Sequence, residues 1–265
     1  MGAIWCRGCS FTFGEGLQFF SNLKSVDIPK YHMFDYEDLT HTQYRFIQNN
    51  RYSKILADLL GVVDVNSSKN GGTNNGIYTE LNLLNTNDTE IKLKDKVGYK
   101  RETYLRLDEI DYIVIQFTNI YRDDLLLNGK IYPQLNMVTS IDEYIKKYLT
   151  DDLTFDEYTN LLCEQTITKF KNLFKKIEGK NPNIKIRVFS WENELDEYLR
   201  NDEYFKDKTI TFSYNDKEYK TLRDIIYSKL KLTIQETFHP MCRNDQHMNL
   251  EGHKLIAESI YKTLI

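Results

Sequence analysis

Short apolar segments alternate with longer segments of helical periodicity along this chain, and that alternation limits the possible fold more than any other feature. Four segments have the length and composition of buried strands: AIWCRG at 3–8, GVVDV at 61–65, DYIVIQFT at 111–118 and IKIRVFSW at 184–191. Strands that alternate with helices favour a parallel sheet with helices packed on both faces. The sequence therefore predicts an α/β fold.

Three segments between and after these strands have clear helical patterns. The stretch 44–60 carries its apolar residues on one broad stripe and ends at a glycine, which predicts a single helix. Thr154 and Glu157 have the spacing of a capping box, which predicts the start of a long helix. Asn249 is predicted to cap a final helix over 250–265.

The chain has 265 residues, for which one large α/β domain over 1–265 is the simplest organisation. Segments 85–109, 128–152 and 201–226 exceed what such a fold requires. Ligands of open α/β sheets bind at the carboxyl ends of the strands, where long insertions shape specificity. We therefore predict a single domain whose insertions border the site.

Composition excludes several classes of protein. The net charge is −4, and acidic and basic residues are interspersed, so nucleic-acid binding has no electrostatic support. No apolar run reaches the roughly eighteen residues of a membrane span. The opening residues lack a basic segment followed by an apolar core, so no secretory signal is predicted and a cytoplasmic location at synthesis is expected. Composition leaves the oligomeric state open.

The segment IWCRGCSFTFGEG supports two interpretations. Cys6 and Cys9 have CxxC spacing, as in a dithiol redox site, and Ser10 lies between glycines, as a hydrolase nucleophile does. A redox cysteine needs an exposed position at a helix N-terminus, whereas Cys6 falls within the strand pattern. A zinc site needs further ligands at regular spacing, and Cys163 and Cys242 are isolated. Buried thiols are the simpler prediction.

A nucleophilic serine requires a base and a group that orients the base. Asp245 and His247 stand just before the predicted last helix, which can meet the end of the first strand. Ser10 would otherwise serve only as a helix cap, a common role for serine. The nearby His253 is interpreted as a packing or hydrogen-bonding residue of the last helix.

Two segments resemble sequence blocks of the SGNH/GDSL hydrolases. GCSFTFG (8–14) is similar to the first block, in which a serine ends the first strand between two glycines. DQHMNLEGH (245–253) is similar to the last block, in which an acid and a histidine precede a helix. The matching residues are Gly8, Ser10, Gly14, His247, Asn249, Gly252 and His253. Two distant blocks in the family's order are far more specific than either alone.

Two central segments resemble the family's middle blocks. NGGTNNGI (70–77) follows the second predicted strand and is similar to the glycine loop of the second block. The resemblance implies a backbone donor at Gly71 or Gly72. VIQFTNIYRD (114–123) is similar to the third block, where Asn119 falls on the family's asparagine.

The resemblance implies a three-layer α/β/α fold with a mostly parallel, flavodoxin-like sheet, and ester hydrolysis without a metal or other cofactor. By the same resemblance Ser10 is the nucleophile, His247 the general base and Asp245 the residue that orients His247. The implied oxyanion donors are the Ser10 amide, the amide of Gly71 or Gly72, and the Asn119 side chain.

The sequence departs from the family's pattern at four positions. Cys9 replaces the usual aspartate of the first block. Asp245 precedes His247 by two residues rather than the commoner three, so another group could orient the histidine. Phe117 and Ile120 stand where the third block has glycine and aspartate.

The resemblance further implies a substrate that is a small-molecule or glycan ester, with O-acetyl or other short acyl groups on a carbohydrate preferred. Two alternatives stay open: an acyltransferase that uses the same residues, and a glycan-binding module with weakened activity. GCSFT, NGGTNN and the segment at 44–61 also resemble SGNH-type proteins carried by bacteriophages. That likeness implies a protein associated with virions or released by lysis.

Overall fold

A computed structural model describes residues 2–14, 17–20, 41–68, 72–86, 91–94, 102–135, 141–149, 153–238 and 246–265. Of the predicted site residues, Gly71 and Asp245 lie outside these ranges, as does Cys242.

The strands of the described residues are β1 (Ala3–Arg7), β2 (Val63–Asn66), β3 (Ile91–Lys94), β4 (Glu102–Leu105), β5 (Ile110–Phe117), β6 (Leu125–Leu127), β7 (Lys130–Tyr132), β8 (Lys185–Ser190), β9 (Phe212–Tyr214) and β10 (Lys217–Tyr219). The helices are α1 (Ser10–Phe13), α2 (His41–Asn50), α3 (Tyr52–Leu60), α4 (Asn74–Thr86), α5 (Ile141–Tyr148), α6 (Phe155–Lys180), α7 (Asn193–Asn201), α8 (Leu222–Tyr227), α9 (Ile234–Phe238) and α10 (Leu250–Leu264).

The central sheet has four parallel strands in the order β2-β1-β5-β8. A parallel bridge between Val188 and Thr209 continues the pairing beyond β8. This is the strand order of flavodoxin-like sheets, in which the chain reverses direction across the sheet at the first strand. The predicted parallel sheet is confirmed. Antiparallel hairpins β3–β4, β6–β7 and β9–β10 lie within or beside the three predicted insertions.

Helices cover both faces of the sheet. Trp5 and Ile113 point to the face packed by α4 and α6, whereas Ile4 and Val114 point to the face packed by α3 and α10. The central strands β1 and β5 bury apolar side chains on both faces because helices cover each side. The architecture is therefore a three-layer α/β/α sandwich, as predicted. Within the described residues, none of the helices combines the length and apolar composition needed to cross a membrane.

The predicted helix over 44–60 is wrong in one respect, because the chain forms two helices there. Arg51 separates α2 from α3 with an extended backbone, at φ −70° and ψ 152°. Its guanidinium lies 3.0 Å from the Asp64 carboxylate at β2, and both side chains are nearly buried. Periodicity along the chain cannot reveal a break that depends on a partner in a strand. The predicted caps of α6 and α10, Thr154 and Asn249, are confirmed.

The turn between β1 and α1 packs against β5 at a position where only glycine fits. A Cβ atom on Gly8 would lie 2.2 Å from Thr12 Oγ1 and 2.9 Å from the Gln116 side chain. Contacts that short force the backbone or a packed side chain to move. Gly8 therefore determines how closely the segment that carries Ser10 approaches the sheet.

Replacing Gly8 with alanine is expected to destabilise the protein by about 1–3 kcal/mol, because the new methyl group must push α1 away from β5. Urea-induced unfolding measures the change. Gly179→Ala is the matched control, since nothing lies within 4 Å of a Cβ at that helical position. The control should be unchanged or up to about 1 kcal/mol more stable. Equal unfolding free energies for Gly8→Ala and the wild type would contradict this account of the packing.

Candidate active site

Three neighbouring strands deliver polar residues to one edge of the sheet. Ser10 opens α1 after β1, and Asn119 opens a 3₁₀ turn after β5. Glu192 precedes α7 after β8. Because parallel strands end at the same edge, these three side chains share the region where ligands bind in open α/β sheets.

Ser10 and His247 meet although 237 residues separate them in sequence. The Ser10 Oγ lies 2.8 Å from the His247 Nε2, and Ser10 is only 6% exposed. The backbone of His247 is held in place, because its carbonyl accepts from the Ile234 amide at 2.8 Å. Ser10 is not the helix cap, since Cys9 occupies that position. The arrangement is that of a hydroxyl beside its potential base.

Asn249 and Gly252 hold the His247 segment against the residues just before α9. The Asn249 amide donates to the Leu232 carbonyl at 2.9 Å, and its side chain caps α10 by accepting from the Gly252 amide at 3.0 Å. A Cβ atom on Gly252 would lie 2.5 Å from the Leu232 carbonyl oxygen. The asparagine and glycine of this block thus determine where His247 stands.

A buried polar network supports the turn that carries Ser10. The Thr12 hydroxyl donates to Gln116 Oε1 and accepts from the Tyr52 hydroxyl at 3.2 Å. Gln116 Nε2 donates to the Cys9 Sγ at 3.2 Å. Asn66 Nδ2 donates to the Thr12 carbonyl at 2.8 Å. These bonds join α1 to β2, α3 and β5, so Ser10 stands on a turn that is anchored on three sides.

The cysteines of the CxxC segment are packing residues. Cys6, Cys9 and Cys163 are all buried with free thiols. Burial raises the pKa of the Cys6 thiol well above its ordinary value, which opposes formation of a reactive thiolate. Among the residues that the structure describes, no three potential metal ligands cluster. The geometry therefore favours the serine over the dithiol interpretation.

Aromatic rings line the approach to His247. Phe11 lies between Trp191 and His247, with ring centroids 4.4 Å and 4.6 Å away. Phe11 is buried and Trp191 is half-buried, so the tryptophan presents part of its ring to solvent. Ring faces of this kind pack well against apolar surfaces of a ligand.

The segment that carries the predicted glycine donor is tied to the end of β5. Gly72 lies two residues before α4. The Asn74 side chain accepts from the Thr118 amide at 2.8 Å and donates to the Thr118 carbonyl at 3.2 Å. The buried Asp123 carboxylate accepts from the backbone amides of Asn74 and Asn75 at 3.2 and 2.8 Å. Burial nevertheless raises the pKa of Asp123.

Asn119 is held in one orientation by its neighbours. Its Oδ1 accepts from the Tyr121 amide at 2.9 Å, and its Nδ2 donates to the Glu192 Oε2 at 3.1 Å. The other Glu192 oxygen accepts from the Ile120 amide at 3.0 Å. Burial is the main reason that the pKa of Glu192 rises to about 7. A buried carboxylate therefore belongs to the Asn119 turn.

Sequence reasoning missed the residues that support this site. Glu192 lies outside the quoted motifs, and Gln116 and Asp123 lie within VIQFTNIYRD but had no predicted role. Each bonds to a residue from another strand end. The sequence carried only a weak signal for them. They are polar residues at or after the ends of buried strands, where an apolar residue would suit the core better. Only the sheet order shows which of them meet.

No protein-family model matches the chain, and no curated protein matches it. Among solved structures, the chain is similar to a carbohydrate esterase at 12% identity and a TM-score of 0.46, covering 99% of this chain and 64% of that one. It is similar to an acetyl xylan esterase of the rumen bacterium Butyrivibrio proteoclasticus at 14% identity and a TM-score of 0.44, with 99% and 63% covered. A lipolytic protein of the G-D-S-L family from Desulfitobacterium hafniense aligns at 13% identity and a TM-score of 0.44, with 99% of both chains covered. The chain thus spans less than two thirds of the two esterases.

His253 is enclosed within the protein, whereas His247 is half-buried. It is fully buried, and its Nδ1 accepts from the Tyr52 backbone amide at 3.2 Å. Burial is the main cause of a pKa lowered to about 3. A histidine that stays neutral and enclosed cannot exchange protons with a substrate, so its role is structural.

His253 makes stability depend on pH. The unfolded chain protonates near the ordinary histidine pKa of about 6.5, whereas the folded protein does so only near 3. Above about pH 6.5, His253 is neutral in both states and does not lower the free energy of unfolding. Below that pH, the free energy of unfolding falls by up to about 1.4 kcal/mol per pH unit, because only the unfolded chain takes up the proton. His253→Asn keeps an acceptor for the Tyr52 amide but removes this titration. Urea unfolding at about pH 7.5 and about pH 5.5 measures the free energy of unfolding at each pH. The decrease between the two should be smaller for the variant than for the wild type. Equal losses would contradict the prediction.

Proposed function

We propose that this protein is a serine-dependent ester hydrolase that removes O-acetyl or other short acyl groups through an acyl-enzyme intermediate. The observation that carries the proposal is the 2.8 Å contact between Ser10 Oγ and His247 Nε2 at the edge of the parallel sheet. A serine hydroxyl becomes a useful nucleophile only beside a base that accepts its proton. The resemblance of both segments to blocks of the SGNH/GDSL hydrolases supports the same chemistry.

The steps follow from the positions of these two side chains. His247 takes the proton of Ser10 as the Oγ attacks the carbonyl carbon of the ester, and then gives that proton to the departing alcohol. Water repeats the sequence on the acyl-enzyme and releases the acid. We assign to Asp245 the orientation of His247.

The negative charge that develops on the carbonyl oxygen requires donors that are already in place, each worth about 3–4 kcal/mol. We assign this role to the amides of Ser10 and of Gly71 or Gly72, and to the Asn119 side chain. Two observations support the assignment. The Gly72 segment is anchored to the end of β5 through Asn74, and Asn119 uses only one of its two Nδ2 hydrogens within the described residues.

A carbohydrate ester is our preferred substrate class. The half-buried Trp191 packs against Phe11, which in turn contacts His247, so an aromatic face lies beside the reacting groups. Sugar rings present apolar C–H faces that stack on such a surface, and their hydroxyls remain available for polar contacts.

Ser10→Ala should abolish turnover of p-nitrophenyl acetate, with a loss of at least about 10³-fold, because it removes the hydroxyl that attacks the ester in the proposed mechanism. Intact-mass measurement after treatment with a fluorophosphonate should show one adduct on the wild type and none on this variant. The exposed Ser228 provides the matched control, and Ser228→Ala should label and turn over like the wild type. A wild type that neither labels nor turns over while a known serine esterase does would favour the glycan-binding module. Acyl product on an added sugar would favour an acyltransferase.

The two histidines of the last block should differ in their effect on activity. His247→Ala should lower kcat for the same ester by about 10³-fold or more, because Ser10 loses its base. His253→Asn should retain substantial kcat, since His253 bonds to the Tyr52 backbone amide and the variant keeps an acceptor for it. Steady-state kinetics at about pH 8 make the comparison under conditions in which His253 is neutral in both the folded and unfolded states. The reverse pattern would refute the assignment of the base.

A further inference from the structure

Glu192 is a buried carboxylate that the hydrolysis described above does not use. It is 2% exposed and lies two residues after the end of β8, next to Trp191 in sequence. Among the described residues it forms no ion pair with a lysine or arginine. Burying a carboxylate without such a partner is costly, so its hydrogen bonds must account for its presence.

Both oxygens of Glu192 contact the Asn119 turn. Oε2 accepts from Asn119 Nδ2 at 3.1 Å, and Oε1 accepts from the Ile120 amide at 3.0 Å. Glu192 occupies the N-cap position of α7, yet its side chain makes no capping bond to that helix. The carboxylate therefore serves the turn after β5 rather than its own helix.

The geometry at Asn119 leaves one donor unassigned. Because Oδ1 accepts from the Tyr121 amide at 2.9 Å, the amide plane cannot flip without breaking that bond. One Nδ2 hydrogen then points to Glu192, and the second has no partner within the described residues. The direction of this second hydrogen is determined by the two bonds that the rest of the amide makes.

We propose that Glu192 is a positioning residue of the Ser10 site, holding Asn119 so that its second Nδ2 hydrogen donates to the oxyanion. The inference rests on the proposed esterase function. The two donors meet different oxygens of Glu192, whereas the amide group of glutamine offers a single acceptor oxygen. A glutamine side chain at this position would therefore place its NH₂ group against either Asn119 Nδ2 or the Ile120 amide. Two donors would then face each other and one hydrogen bond would be lost.

Glu192→Gln should lower kcat for p-nitrophenyl acetate by about 10- to 100-fold and leave KM within about 2-fold, because the lost interaction exists only in the transition state. Asn119→Ala should lower kcat by about 10²-fold. The double variant should be no slower than Asn119→Ala alone, since both changes remove the same donor. Asp196→Asn is the matched control, because Asp196 is equally buried on α7 but pairs with Arg200. It should lower the Tm and leave kcat unchanged.

The outcomes separate this proposal from the proposed function. A wild type that neither hydrolyses the ester nor labels at Ser10 overturns both. Normal turnover in the wild type together with normal kcat in Glu192→Gln overturns the role of Glu192 alone. The role of Glu192 would also be overturned if the kcat decrease in the double variant equalled the product of the two single decreases. That result would show that Glu192 and Asn119 act independently.

A pH profile tests the same idea without a variant at Glu192. Titratable groups facing the carboxylate are Glu194 on its own helix, Arg122 and Tyr121 from the turn after β5, Arg223 on α8 and Cys163 on α6. Protonation turns one Glu192 oxygen into a hydroxyl, which donates a hydrogen and accepts far more weakly than a carboxylate oxygen. The ratio of kcat for the wild type to kcat for Asn119→Ala should therefore fall several-fold as pH decreases through about 7. A ratio that stays constant would overturn the proposal, because dividing the two kcat values cancels the pH effects that both proteins share.

Discussion

The closeness of the turn after β1 to strand β5 is the contact on which the rest of the site depends. A side chain at Gly8 would overlap the Thr12 hydroxyl, and a glycine there lets that hydroxyl donate to Gln116 inside the sheet. Asn66 then holds the Thr12 carbonyl from β2. Because α1 has only four residues, these external bonds rather than the helix itself keep its first residue in place. Ser10 is thereby held beside His247.

The carboxyl edge of the sheet holds a second set of polar groups in fixed positions. Thr118 anchors the segment after Gly72, and Glu192 anchors the turn that begins at Asn119. Asp123 and Glu192 are buried carboxylates whose pKa values are raised, so the fold bears a desolvation cost at this edge. Such a cost is typical of functional sites, where polar groups are ordered in advance of the ligand. The buried face of α10 adds His253, which stays neutral and fills space behind Tyr52.

Much of the fold follows from local patterns, and the exceptions have a common cause. The parallel sheet, the capping box at Thr154 and the cap at Asn249 all depend on residues that lie near one another in sequence. The break at Arg51 does not, because the ion pair with Asp64 that accompanies it requires β2 to be beside α3. Glu192 was missed for the same reason, since its contacts with the Asn119 turn span more than seventy residues.

The sequence by itself determined the fold class and pointed to Ser10 and His247 as a candidate nucleophile and base, because apolar periodicity records burial and a nucleophilic serine admits few kinds of partner. Tertiary structure alone decided which residues surround them. It placed His247 against Ser10 and enclosed His253 against a backbone amide, although the two histidines stand six positions apart in one block. It also brought Glu192 to Asn119. Burial and hydrogen-bond direction depend on what lies across the sheet, and no local pattern carries that information.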